Sequence, residues 1–178
     1  IRDLVRSRGL GVCIRDSTGS YIRGYAFRTI SGAKEKYLYT HRVEEDKNPD
    51  LFNLSPLKGT KDLVVVEGLL DALHATAKGL ENVVALGSAD LSRKQVEDAV
   101  AKGARAVTLC LDADQGGRRG TDKALGILKA FPTLKVYVAK LPAAADGGKM
   151  DPDQLIREQG VDALRAVIAS AISAWRYE

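Results

Sequence analysis

The sequence predicts an α/β protein in which a parallel sheet flanked by helices follows a small antiparallel β lobe. Three observations lead there. From Asp62 onward, short apolar runs alternate with longer helical patterns, as βαβ units do. Before residue 60 helical periodicity is absent, and a Gly-containing turn separates two strand-like runs. Acids also follow apolar runs: Leu63-Val64-Val65-Val66 leads into Glu67-Gly68-Leu69-Leu70-Asp71, and Ala106–Leu111 into Asp112-Ala113-Asp114-Gln115-Gly116-Gly117.

In the lobe, Leu10–Arg15 and Tyr21–Arg28 read as strands joined by the turn Asp16–Ser20, with a third strand over Lys36–Thr40. His41–Pro56 is charged and Pro-punctuated, so it reads as loop. After the Leu63–Val66 strand comes a helix over Leu70–Ala77, closed by Gly79, and a strand over Asn82–Leu86. Ser92 can cap a helix that runs to Lys102 and ends at Gly103. The Ala106–Leu111 strand, a helix over Arg118–Ala130 and a strand over Leu134–Ala139 follow. Helices over Asp153–Gln159 and Asp162–Trp175, joined through Gly160, complete the chain, with Trp175 packing the last one. This divides the chain into a basic lobe (1–60), a sheet domain (61–145) and a C-terminal acidic loop with helices that completes that domain (146–178). Right-handed crossovers place the carboxyl ends of the strands on one edge, where open α/β sheets bind ligands.

At 178 residues, 45% hydrophobic and 28% charged, the chain can bury a core and falls outside the disordered and membrane classes. No signal peptide or membrane span is evident, which predicts a cytoplasmic protein with no membrane partner. An opening Ile1 suggests a piece of a longer protein. Cys13 and Cys110 sit in apolar runs and read as buried free thiols, with no CxxC pair. A net charge of +4 favours a polyanionic partner. No Ser/His/Asp or Cys/His set is evident, and His41 and His74 lack metal-ligand spacing.

Glu67 stands where a buried strand ends, and Asp71 lies one helical turn further on, so both carboxylates can face one site. Each also fits a plain role, Glu67 as a loop acid and Asp71 as a first-turn helix acid. In a strand, Asp112 and Asp114 share a face and can point at one ion. Gly116 and Gly117 would let backbone amides approach a phosphate at a helix start, beside Arg118 and Arg119. An acidic turn before a basic helix face is the alternative. Gly147-Gly148-Lys149-Met150-Asp151-Pro152-Asp153 lies beyond another strand: Asp151 and Asp153 could add a second metal position and Lys149 a phosphate contact. The same run equally describes a helix start, with an Asp as cap and Pro152 in the first turn. Carboxylates in this number suit Mg²⁺, which takes hard oxygen ligands and substrate phosphates. In the lobe, Arg15, Arg23, Arg28, Lys34, Lys36, Arg42 and Lys58 interleave with Tyr21, Tyr25, Phe27, Tyr37 and Tyr39. That pattern suits nucleic acid and also any half-exposed sheet.

The ordered set Glu67-Gly68-x-x-Asp71, Asp112-x-Asp114-x-x-Gly117 and Lys149-x-Asp151-Pro152-Asp153 resembles the TOPRIM domain of primases, topoisomerases and some nucleases. DnaG-type bacterial and phage primases are the branch it is most similar to. Leu86-Gly87-Ser88-Ala89 resembles that family's turn after the second strand, and Asp114-Gln115-Gly116-Gly117-Arg118-Arg119 its Asp-x-x-Gly-Arg-Arg run. Asp16–Phe27 and Lys36-Tyr37-Leu38 resemble segments of the primase lobe, so the resemblance covers roughly residues 8–160. Met150 intervenes between Lys149 and Asp151 where the family reads Gly-Lys-Asp-Pro-Asp, and Tyr39-Thr40 replaces Asn-Ser-Pro. With a short Phe52–Glu67 connection, these departures suggest a divergent phage, plasmid or mobile-element type.

The resemblance implies a TOPRIM-type fold and the RNA-polymerising core of a primase, a nucleotidyltransferase making RNA primers on single-stranded DNA. It implies Glu67, Asp112 and Asp114 as catalytic residues holding Mg²⁺ or Mn²⁺, with Asp71, Asp151 and Asp153 helping to hold a second ion. Lys36, Tyr37, Arg28, Gly68, Gly117, Arg118 and Lys149 would contact nucleotide or nucleic acid. Implied partners are the DNA template, ribonucleoside triphosphates and, through regions outside this chain, a replicative helicase at the replication fork. A TOPRIM nuclease using the same acids on a phosphodiester, or a non-catalytic nucleic-acid-binding module, are the alternatives.

Overall fold

A computed structural model describes residues 9–29, 37–40, 50–57, 59–88, 90–144 and 148–177. The lobe is a three-stranded antiparallel sheet, β1 (Leu10–Arg15), β2 (Ile22–Arg28) and β3 (Tyr37–Tyr39), in that order. The β1–β2 turn is fixed by Asp16, whose carboxylate accepts from Thr18 Oγ1 and from the Tyr21 N–H. Gly19 takes the positive φ of 78° that this turn needs. Tyr21 belongs to the turn rather than to β2, and Cys13 is half-buried rather than buried.

The second sheet has the order β5-β4-β6-β7-β8. Its elements are β4 (Asp62–Val66), α1 (Leu69–Ala77), β5 (Val83–Ala85), α2 (Arg93–Ala101), β6 (Ala106–Leu109), α3 (Gln115–Leu128) and β7 (Lys135–Val138). Then come α4 (Pro152–Gln159), α5 (Val161–Ala169), β8 (Ile172–Ser173) and α6 (Ala174–Tyr177). Strands β4 to β7 pair in parallel, while β8 pairs antiparallel with β7.

Alternation along β4 sorts the core into two layers. Val64 and Val66 pack with Ala72 and Ala75 of α1 and with Leu155, Ile156 and Leu164 of α4 and α5. Leu63 and Val65 pack on the other face with Val96 and Ala99 of α2 and with Ala124, Leu125 and Leu128 of α3. The handedness of the crossovers requires this split. The chain steps from β4 to β5 in one direction, then reverses across β4 to β6 and β7, so α1 falls on one face and α2 and α3 on the other. Val12, Ile14 and Ala26 of the lobe join the first layer. Asp50, 6% exposed, ties the lobe to α2 through Arg23 Nε at 3.5 Å and Lys94 Nζ at 2.5 Å.

Several expectations are corrected. Helix α3 begins at Gln115, three residues before the expected Arg118, because the Asp114 carboxylate caps it by accepting the Gly117 N–H at 2.8 Å. The helix expected over Asp162–Trp175 stops at Ala169; Ile172–Ser173 then covers the β7 edge, and the sheet is mixed there. Trp175 does not pack that helix: it is 76% exposed, with the Arg176 guanidinium 5.5 Å from its ring. Strand β6 ends at Leu109 rather than Leu111. Lys34, Lys36, His41, Arg42, Lys58 and Gly147 lie outside the described residues.

Candidate active site

The reversal in strand order falls between β4 and β6, which opens a crevice at their carboxyl ends, the place where α/β sheets take ligands. Pairing sets Val65 beside Leu109, so the residues that leave these strands emerge side by side. Glu67 Oε1 accepts the Asp112 N–H at 3.2 Å. Asp112 and Asp114 are not strand residues sharing a face; they lie in the turn from β6 into α3. Gly117 makes that turn possible. A Cβ there would come within 2.1 Å of the Asp112 carbonyl oxygen. Its amide is occupied by Asp114 and is not offered to a phosphate as the sequence suggested.

Lys149 closes this group. Its Nζ pairs with Asp112 Oδ2 and lies 3.5 Å from Asp114 Oδ2. Met150 anchors the lysine: its side chain is 1% exposed in the core, and its carbonyl accepts the Ala113 N–H at 2.9 Å. The other oxygen of Asp112, Oδ1, is buried without a hydrogen-bond partner.

The second acidic group is bound to its own scaffold. Asp71 Oδ2 accepts the Gly68 N–H at 3.0 Å, and Oδ1 accepts the Asp153 N–H at 3.0 Å. A side chain at Gly68 would meet the Asp71 carboxylate at 2.7 Å, so the carboxylate would have to shift from its two amides. Asp151 caps α4 by accepting the Gln154 N–H at 2.7 Å, with Pro152 in the first turn. Asp153 lies 2.8 Å from His74 Nδ1 and 2.9 Å from Arg157 Nε. His74 is the residue the sequence reading missed. It stands three residues after Asp71 on α1, a spacing that puts the two on one face.

A cleft of about 330 Å³ gathers Arg28, Glu67, Gly68, Asp71, Gly87, Ser88, Asp112, Lys149, Asp151 and Asp153. Of the sequence candidates, then, Glu67, Asp112, the second acidic group, Gly68, Lys149 and the lobe's Arg28 meet here, while Asp114 joins them through the Lys149 ammonium. Gly117 and Arg118 instead line a neighbouring cavity of about 520 Å³ with Asp112, Lys140 and Tyr177. Tyr37 lies on β3.

Electrostatics follow from this crowding. Burial, then the Asp112 charge, raises the Glu67 carboxyl. Burial, then Asp151, pushes Asp71 up to about 7. Burial raises Asp112 even though Lys149 pulls it down. Asp114, held by the Gly117 amide, is lowered. For Lys149, burial opposes the charge, but the bond to Asp112 and the fields of Asp114 and Glu67 prevail and raise it. Among the described residues no three His, Cys, Asp or Glu side chains form a ready ion-binding group. The donor set still fits a hard divalent cation: carboxylate oxygens repel one another here, and Asp112 Oδ1 is desolvated with nothing to receive.

Residues 64–156, which run from β4 into α4 and contain both acidic groups, match the family described as Toprim-like. The chain belongs to the Toprim-like family. A DNA primase of Staphylococcus aureus (strain COL) is 32% identical over 152 residues, spanning 83% of this chain and 24% of the relative. A DNA primase domain from Pseudomonas aeruginosa superposes with a TM-score of 0.79 at 29% identity, over 94% of this chain and 52% of that one. The Aquifex aeolicus primase structure, which holds zinc-binding and RNA polymerase domains, gives 0.78 and 29% over 96% of this chain and 42% of its own. This Toprim-like chain is therefore homologous to DnaG-type primase catalytic domains, and the likeness extends through the lobe. It spans about a quarter of the length of the curated primase it matches. No helix among the described residues is long and apolar enough to cross a membrane.

Proposed function

We propose that this chain is the catalytic core of a primase, joining ribonucleotides on a single-stranded DNA template. The observation that carries the reading is the convergence of Glu67, Asp112 and Asp114 at the β4–β6 crevice, with Arg28 of the lobe reaching the same cleft. Homology to DnaG-type primase domains supports it.

Glu67, Asp112 and Asp114 would hold Mg²⁺ or Mn²⁺, with Asp71, Asp151 and Asp153 as candidates for a second ion. When bound, such ions supply Lewis acidity toward phosphate oxygens in an in-line displacement. The chain's own groups do the rest. The Asp112 backbone N–H orients Glu67, and the Gly117 N–H orients Asp114. Arg28 and Lys149 offer cationic donors to a triphosphate. In this reading Lys36 and Tyr37 are further candidates for contact with template or nucleotide, and Arg118 stands in the first turn of α3. A replicative helicase is the partner, and the replication fork the place, that this reading proposes.

The test is ribonucleotide incorporation on primed single-stranded DNA with Mg²⁺ or Mn²⁺, comparing the chain with Asp112→Asn. Extension that requires the ion and is lost in the variant supports the reading. Ion-dependent cleavage without extension would replace it with the nuclease, and nucleic-acid binding with neither activity would leave a binding module.

A further inference from the structure

We infer that Lys149 is a resident counter-cation: its ammonium stands on the Asp112–Asp114 pair until a divalent ion displaces it, so ion binding at this site is an exchange. The inference rests on the ion-binding reading of Glu67, Asp112 and Asp114 and adds a residue that works against the ion.

Three observations carry it. The ammonium reaches Oδ2 of both aspartates, so it competes for this carboxylate pair with any cation the pair would hold. The lysine is placed there by its neighbours rather than by chance of a free loop. Met150 is sunk in the core with its carbonyl on the Ala113 N–H, and Asp151 caps α4, so successive residues turn alternately to the core and to the cleft. The lysine side chain is nonetheless 45% exposed, so its head can leave without repacking the core.

Charge explains why the exchange would run forward. One ammonium faces the carboxylates of Asp112 and Asp114 with the charge of Glu67 nearby, and Asp112 Oδ1 stays buried without a donor while the lysine is in place. A divalent cation brings a second positive charge to the same crevice. Met150, which interrupts the expected Gly-Lys-Asp-Pro-Asp order, is thereby explained. It gives the segment its buried anchor and leaves Lys149 facing the acids.

The test uses Mn²⁺ or Mg²⁺ alone, titrated calorimetrically into the chain, Lys149→Met and Asp112→Asn. Lys149→Met keeps the apolar stem and removes the competitor, so its ion affinity should rise on the order of tenfold, from the loss of one like charge a few ångströms from the ion. Its melting temperature in EDTA should fall, and the gain on adding the ion should exceed that of the parent chain. Unchanged or weaker ion binding in Lys149→Met overturns the exchange. If Asp112→Asn binds the ion as the parent does, the ion-binding reading itself fails, which is a different result. Should Lys149→Met not fold, reductive methylation of Lys149 in the unsubstituted chain, followed by mass spectrometry, decides. The exchange predicts faster labelling at saturating Mg²⁺, and a rate indifferent to the ion refutes it.

Discussion

Asp112 and Asp151 line the same cleft, yet their carboxylates are used in opposite ways. Asp151 is bound into its own helix, accepting the Gln154 N–H as the cap of α4. Its companions are similarly engaged: Asp71 holds the amides of Gly68 and Asp153, and Asp153 pairs with His74 and Arg157. Asp112 has one oxygen on a half-exposed lysine and the other, buried, on nothing. Acids at one sheet edge thus divide into a half that builds the crevice and a half, Glu67, Asp112 and Asp114, that also accepts backbone amides but keeps Asp112 Oδ1 open to a cation. Burial and partner supply, rather than residue identity, make the division.

The largest effect that would break this contrast is on activity. Asp112→Asn should cost ion-dependent ribonucleotide incorporation on the order of a hundredfold or more, read as kcat/KM on a primed template. Asp151→Asn, which keeps a good cap, should cost at least tenfold less than Asp112→Asn. Equal losses would mean that the two halves act alike.

The next effect is on stability. Met150→Ala empties a fully buried site and should cost about 2–5 kcal/mol in urea denaturation. It should also loosen Lys149, so the substitution reaches the poised half from the core side.

A smaller effect sharpens the description of the building half. In the fold Asp71 titrates near 7, above the value of about 3.9 for an unfolded chain, because burial disfavours its charge. The native state therefore binds the extra proton, and this contribution to stability is complete below about pH 4 and lost as pH rises through about 7. In EDTA, denaturation at pH 5 and pH 8 should differ by on the order of 2 kcal/mol from this group, and Asp71→Asn should flatten the difference. A profile unchanged in Asp71→Asn would remove Asp71 as its source.

The smallest is a control far from the cleft. Ser92 caps α2 by accepting the Gln95 N–H at 3.2 Å. Ser92→Ala should cost about 1 kcal/mol in melting or urea experiments with incorporation unaltered.

Much of this was legible in the sequence, and for identifiable reasons. β-branched runs such as Leu63–Val66 and the stop at Gly79 encode strand and helix locally. The crossover rule then brings Glu67 and Asp112 to one edge without any coordinates. What escaped has two sources. The β8 pairing that ends α5 depends on contacts distant in sequence, whereas the Asp114 cap that starts α3 early is local, three residues from Gly117, and is hidden only by reading Asp112 and Asp114 as strand residues. His74 has no metal-ligand spacing to mark it, and its partner Asp153 lies 79 residues away. The commitment of Asp71 and Asp151 to backbone amides was available as an alternative reading, and only packing could show it beside the open valence of Asp112.

The most direct test of that contrast is Mn²⁺ binding followed by electron paramagnetic resonance of the free ion, on the parent chain, Asp112→Asn and Asp151→Asn. Asp112→Asn should lose the tightest ion while Asp151→Asn retains it. Retention in Asp112→Asn, or equal loss in both variants, would contradict that contrast.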